Sequence, residues 1–145
     1  MMLDTRPSLT ITRHIKAPPG KVYAAWTDPE KLLRWFGPDS SPTLSAEIDL
    51  RPGGKYGIRF RTADGEEHFV HGEYVELLEN ERLVFTWKWI TFPERESLVT
   101  VELRAMGGGT ELTLIHGKLF DEQVRDSHYE GWSGCLDKLE ALLAA

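Results

Sequence analysis

The sequence holds a single cysteine, Cys135, so no internal disulfide can form and no cysteine pair can build a zinc site. It holds no apolar run of about 18 residues, the length that a membrane-crossing helix needs, so membrane insertion is not expected. Basic residues are the minority: 17 Lys and Arg against 23 Asp and Glu give a formal charge of -6. A partner of phosphates needs a positive surface, so nucleic acid is not expected either, and the cluster at Arg59 and Arg61 is too thin to make a patch. The opening residues, Met1 to Pro7, lack the charged-then-apolar plan of a signal peptide, which points to the cytoplasm. No Ser or Cys stands in a nucleophile elbow, and no His-x-x-x-His or paired-carboxylate spacing suggests a metal, so neither metal nor cofactor is expected.

Apolar material, by contrast, is ample. Hydrophobic residues make up 41% and charged residues 28% of the 145, the balance of a globular chain able to bury a core without staples. No repeat or linker divides it, and one domain over residues 1–145 is expected.

Period-two alternation makes Leu9 to Ile15 a strand, ended by Pro18-Pro19-Gly20. Val22, Ala25 and Trp26 then fall at helical spacing. Asp28-Pro29-Glu30 reads as an N-cap with proline at the first helical position, opening a second short helix that carries Leu32, Leu33, Trp35 and Phe36 as far as Gly37-Pro38. Alternation returns in six further strands. Their faces are Leu44 to Leu50, Tyr56 to Phe60, a run from about Glu67 to Leu78, Leu83 to Trp89, Val99 to Leu103, and Leu112 to His116. Turn signals at Arg51-Pro52-Gly53-Gly54, Asp64-Gly65, Glu79-Asn80-Glu81 and Gly107-Gly108-Gly109 separate them. From Asp121, as N-cap, to Ala145 the spacing is that of one long helix with Val124, His128, Trp132, Cys135, Leu139 and Leu142 as its buried stripe. Asp126, Glu130, Asp137 and Glu140 are left for its wet side. Gly131 and Gly134 each weaken a helix by about 1 kcal/mol, which calls for a close approach or a bend there.

The expected fold is therefore α+β: strand, two short helices, six strands and a long helix, with the antiparallel sheet curved around that helix. A twisted sheet wrapped on one helix leaves a cavity or groove between them.

Ala17-Pro18-Pro19-Gly20-Lys21-Val22-Tyr23-Ala24-Ala25-Trp26-Thr27-Asp28-Pro29-Glu30, continuing to Trp35-Phe36-Gly37-Pro38, resembles the opening of the START-like (SRPBCC) superfamily. More narrowly it resembles the branch related to the C-terminal domain of the activator of the heat-shock chaperone ATPase. Arg51-Pro52-Gly53-Gly54-Lys55-Tyr56, Glu81-Arg82-Leu83-Val84-Phe85-Thr86-Trp87 and His128-Tyr129-Glu130-Gly131-Trp132 with Leu136-Asp137-Lys138-Leu139 extend the likeness over nearly the whole chain. The resemblance implies a helix-grip fold and a hydrophobic cavity. It does not imply one function, since such relatives include lipid carriers, aromatic polyketide cyclases, an antibiotic self-sacrifice protein and co-chaperone domains.

Strand parity places Arg13 with Leu9, Ile11 and Ile15, sets His71 and Glu73 beside Phe69, Val75 and Leu77, and puts His116 beside Leu112 and Leu114. His128 lies on the helix stripe. Polar groups on an apolar face need partners, since an unmatched one costs about 1–3 kcal/mol. Two readings stay open: these groups converge on the cavity to orient a ligand, or they tie strands to the helix and sit at wet strand ends. Tyr56, Phe60, Phe85, Trp87, Trp89 and Trp132 form either plain core or an aromatic wall. Trp35 and Phe36 are either a gate or a staple for the short helices. The expected function is binding of a small apolar or aromatic ligand in that cavity, for carriage, sequestration or ligand response. The alternatives are a co-chaperone or stress-response role through the outer surface, and a cyclase- or hydratase-type enzyme in which His71 beside Glu73, or His116, acts as base. An exposed edge strand would permit a homodimer.

Overall fold

The structure, a computed structural model, describes residues 5–144; Met1 to Asp4, weighed above for a leader, and Ala145 lie outside the described residues. The chain runs β1 (Leu9–Ile15), α1 (Pro19–Thr27), α2 (Pro29–Leu32), β2 (Thr43–Ile48), β3 (Lys55–Arg61), β4 (Glu67–Leu78), β5 (Arg82–Trp89), β6 (Ser97–Met106), β7 (Gly109–Gly117) and α3 (Glu122–Ala144). All strand pairs are antiparallel, and the sheet order is β1-β7-β6-β5-β4-β3-β2. The meander brings each strand next to its successor. Only β1 crosses, to close on β7 with Leu9 opposite His116 and Ile15 opposite Thr110. The result is the curved α+β helix-grip arrangement, with α3 on the inner face.

Both expected N-caps form: the Asp28 carboxylate accepts from Glu30 N at 3.0 Å, and that of Asp121 from Val124 N at 2.8 Å. The α3 stripe buries Trp132, Cys135, Leu136 and Leu139, while Val124 and Leu142 pack partly against the core. Arg13 holds its inward parity, and its Nη1 reaches Asp137 Oδ1 at 2.7 Å and Glu140 Oε2 at 2.6 Å. Two of the acids assigned to the wet side of α3 thus clamp that helix to β1.

Three expectations give way. α2 ends at Leu32, so Trp35 and Phe36 lie beyond it in a turn. Leu44 and Leu50 do not face the core; both are exposed, and a register shift between Thr43 and Ser45 bends β2 at the sheet edge. Most important, β4 carries a register irregularity between Tyr74 and Glu76. Leu77 packs against the core beyond it, but before it the inward residues are Val70 and Tyr74, not Phe69 and its odd-numbered neighbours. His71 and Glu73 therefore lie on the outer face, because one inserted residue reverses the alternation.

The close approach asked for by the helix glycines is real at one of them. A Cβ on Gly134 would overlap the carbonyl oxygen of Pro38, whereas one on Gly131 would meet only Pro38 Cβ at 3.8 Å. Gly134→Ala is expected to destabilise the fold by about 1–3 kcal/mol through overpacking. Gly131→Ala is expected to be neutral or stabilising by up to about 1 kcal/mol through helix propensity. Urea unfolding of the two variants side by side tests this; equal effects would show that α3 does not rest on the Pro38 backbone.

Candidate functional site

The inner face of β3, β4 and β5 is not fully covered by α3, and the gap is a groove of about 970 Å³. Alternation on β5 sends Trp87 and Trp89 to the same side, with ring centroids 5.4 Å apart and planes nearly perpendicular. Phe60 from β3 meets Trp89 at 5.8 Å, and Trp132 from α3 approaches Trp87 to 5.0 Å. Phe36 closes the inner end, edge-on to Phe60 at 5.5 Å. Beneath this wall lies an apolar void of about 20 Å³, bounded by Tyr56 and Phe85 and sharing Phe36, Trp87 and Trp132 with the groove. The expected aromatic wall thus divides: Phe60, Trp87, Trp89 and Trp132 face the groove, and Tyr56 and Phe85 sit one layer deeper. The Tyr56 hydroxyl donates to the Thr86 carbonyl at 2.6 Å, and burial raises its pKa well above the ordinary phenol value.

Two indole–imidazole pairs join sheet and helix behind and beside this wall. Trp132 Nε1 donates to His116 Nδ1 at 3.0 Å. Because an indole nitrogen can only donate, that imidazole nitrogen carries no proton, and Nε2–H is left to donate to Ser97 Oγ at 2.8 Å. Ser97 Oγ in turn donates to the Trp87 carbonyl at 3.2 Å. Trp89 Nε1 donates likewise to His128 Nε2 at 3.0 Å, while His128 Nδ1 donates to the Val124 carbonyl at 2.7 Å. The two imidazoles lie 5.0 Å apart, edge to face. Burial pushes the His116 pKa well below the ordinary histidine value, with nearby His128 adding to it, and burial also lowers that of His128. Both rings are neutral. His116 is fully buried and His128 lines the groove with both nitrogens occupied. Each histidine ties the helix to the sheet, and neither has a free nitrogen for general-base work.

The remaining candidates fall elsewhere. His71 stacks on Phe69 at 5.5 Å on the outer face, and exposed Glu73 stands opposite Lys55, so neither reaches the groove. Trp35 is fully buried and its Nε1 donates to the Ala25 carbonyl at 2.9 Å. Phe36 is held as firmly: its carbonyl accepts from Thr43 Oγ1 and, at 3.4 Å, from Lys138 Nζ, which also donates to the Asp39 carbonyl at 2.5 Å. These contacts anchor the Trp35 side chain to α1 and the Phe36 backbone to β2 and α3, while the Phe36 ring lines the groove. Cys135 also borders the groove, but burial pushes its thiol up to about 12, so it stays protonated at neutral pH.

Of the lining residues that escaped the sequence reading, four bear on the chemistry of the groove. His68 shares its parity with Val70 and faces the groove once the β4 irregularity is allowed for. Phe92, Arg95 and Phe120 come from the β5–β6 and β7–α3 connections, where no periodicity marks a side chain as inward. The β3–β4 hairpin also brings ligand atoms of Asp64, Glu66 and His68 within 4.8 Å of one another, a grouping hidden by the absence of any motif spacing.

Neutral buried imidazoles have a pH signature. Below the unfolded-state pKa near 6.5 the unfolded chain takes up protons at positions 116 and 128 that the native state refuses. Stability is therefore expected to be level above that pH with respect to these groups and to fall as pH drops through 6 towards 5. The slope should approach about 1.4 kcal/mol per pH unit for His116, with a smaller contribution from His128. Urea unfolding across this range should show His116→Gln less stable throughout but with a shallower acid slope; an unchanged slope would show that His116 is not held neutral.

Comparison with known proteins extends the structural result. Residues 16–144 match the model of the Activator of Hsp90 ATPase homolog 1-like protein family. A crystal structure from Chromobacterium violaceum superposes with a TM-score of 0.83 at 27% identity, covering 95% of this chain and 97% of that one. The AHSA1 protein from Silicibacter pomeroyi gives 0.83 at 28% identity, with 95% and 98% covered. CalU16 from Micromonospora echinospora gives 0.72 at 29% identity, with 94% and 75% covered. No curated protein is significantly similar in sequence. Matched in sequence from just after β1 to the end of α3 and in fold over nearly all its length, the chain belongs to the Activator of Hsp90 ATPase homolog 1-like family.

Proposed function

We propose that the chain, acting as one domain, binds a small hydrophobic or aromatic molecule in the groove between α3 and β3–β5, as a carrier, a sequestering protein or a ligand-responsive one. The observation that carries this reading is an aromatic wall left open: Phe60, Trp87, Trp89 and Trp132 border about 970 Å³ of space. A ligand that buries about 400 Å² of apolar surface there gains roughly 10 kcal/mol, and association costs of at least about 4 kcal/mol leave affinity in the tens of micromolar. Hydrophobic ligands are common in this fold family, which supports the same reading. The imidazoles of His116 and His128 serve it by holding Trp132 and Trp89 in place, so rigid aromatic surfaces meet the ligand without losing rotamer freedom. The family description favours a second reading, a co-chaperone or stress-response role through the outer surface, which would not use the groove.

Gly131 offers a direct test, because it lines the groove and its position has room for a side chain. The neutral fluorescent probe N-phenyl-1-naphthylamine is expected to bind the protein saturably. Gly131→Phe is expected to weaken that binding at least about tenfold by filling the groove, with the melting temperature unchanged or raised. Probe binding that is absent in the parent protein, or untouched by the filled groove, would sink the ligand reading. Chaperone association that survives Gly131→Phe would then favour the outer-surface role.

A further inference from the structure

Among the described residues, three buried side-chain polar atoms have no hydrogen-bond partner, and all three are donors: Trp26 Nε1, Trp87 Nε1 and Arg95 Nε. Trp87 and Arg95 line the groove, and Trp26 lines the void beneath it. Unmet donors in an apolar site favour a ligand that brings acceptors.

Arg95 adds a sign to that preference. It is the sole lysine or arginine on the groove lining among the described residues. Its guanidinium carbon lies over the rings of Phe92 at 4.3 Å and Phe120 at 3.8 Å, which fix the charge at the groove mouth. Aromatic faces engage a guanidinium's charge but leave its forked N–H donors for planar acceptors. Among the described residues Arg95 forms one ion pair, with the exposed Glu94 at 3.9 Å from Nε to Oε1, a separation beyond hydrogen-bond reach that water screens.

The acids on the same lining do not cancel this charge. Asp121 is engaged as the N-cap of α3, and Glu67 faces Arg61 at 3.8 Å. Glu66 is exposed at the β3–β4 hairpin, where water screens it. His116 and His128 carry no charge that could compete for an anion.

Resting on the ligand reading of the groove, we propose that its ligand is an aromatic carboxylate, with its rings against Trp87, Trp89 and Phe60 and its carboxylate on the forked N–H donors of Arg95. The guanidinium matches a carboxylate in plane and charge, and the flanking phenyl rings extend the apolar wall to the point where the ring system ends. A cationic aromatic of the same shape is rejected at that point by like charge.

Three isosteric probes test the proposal by quenching of tryptophan fluorescence: 2-naphthoate, neutral 2-naphthamide and 2-naphthylmethylammonium. Naphthoate is expected to bind about tenfold tighter than naphthamide, and the cation weakest of all. Arg95→Gln is expected to abolish the preference for naphthoate while leaving the naphthamide affinity within about twofold. Arg95→Lys, which keeps the charge but loses the planar fork, should retain part of it. Equal binding of naphthoate and naphthamide by the parent protein would overturn the proposal, as would a preference that persists in Arg95→Gln or tightest binding of the cation. Each of these outcomes leaves the groove a ligand site so long as N-phenyl-1-naphthylamine still binds; failure of that neutral probe removes the underlying reading instead.

Discussion

One 23-residue helix has to cover the inner face of seven strands. With strands about 4.8 Å apart the sheet is nearly 30 Å wide, and a helix with its side chains is about 10 Å across. The mismatch cannot be removed, only distributed. Curvature draws the two edges towards the helix, α1 packs against β6 and β7 and α2 against β2, and large aromatic rings fill much of the rest. What remains on the β3–β5 side is the groove. The open space is thus a product of element number and size, and the aromatic residues that border it are there because nothing smaller spans the gap.

Rings of that size bring polar nitrogens with them, and the way these are satisfied sets the character of the interior. Trp132 gives its proton to His116 and Trp89 gives its proton to His128. Each imidazole passes its own N–H onward, to Ser97 Oγ or to the Val124 carbonyl. Four polar side chains are absorbed without a single net charge, and every link crosses from one element to another or holds a ring against its own helix turn. A carboxylate or lysine in the same place would have required a buried counter-charge. The arrangement explains why histidines on an apolar face need not be catalytic: their basicity is spent on indoles.

Much of this was legible in the residues. Period-two runs marked all seven strands, Asp28 and Asp121 marked their helix starts, and the α3 stripe from Val124 to Leu142 marked its buried face. Gly134 announced a close approach before its neighbour was known. The misreadings have local causes. Leu77 truly packs inward, and extending its parity back along β4 carried His71 and Glu73 with it, because a single inserted residue leaves no mark in composition. Whether Trp35 and Phe36 are gate or staple was not legible, because the three donors around them, Trp35 Nε1, Thr43 Oγ1 and Lys138 Nζ, come from three different segments. Phe92, Arg95 and Phe120 were invisible for another reason. Connections have no period, so only three-dimensional structure shows that two of them meet across a groove mouth.

The pairing of β1 with β7 has a consequence in time. Leu9 finds its partner at His116, so the first strand made is the last to be paired. During synthesis from the N-terminus, β2 to β6 can zip up hairpin by hairpin, but β1 must wait until β7 has left the ribosome. Through that interval α1 and α2 are tethered to an unpaired strand, and Trp26 and Trp35 have no completed sheet to bury against. The sticky phase of this protein's life is therefore its birth.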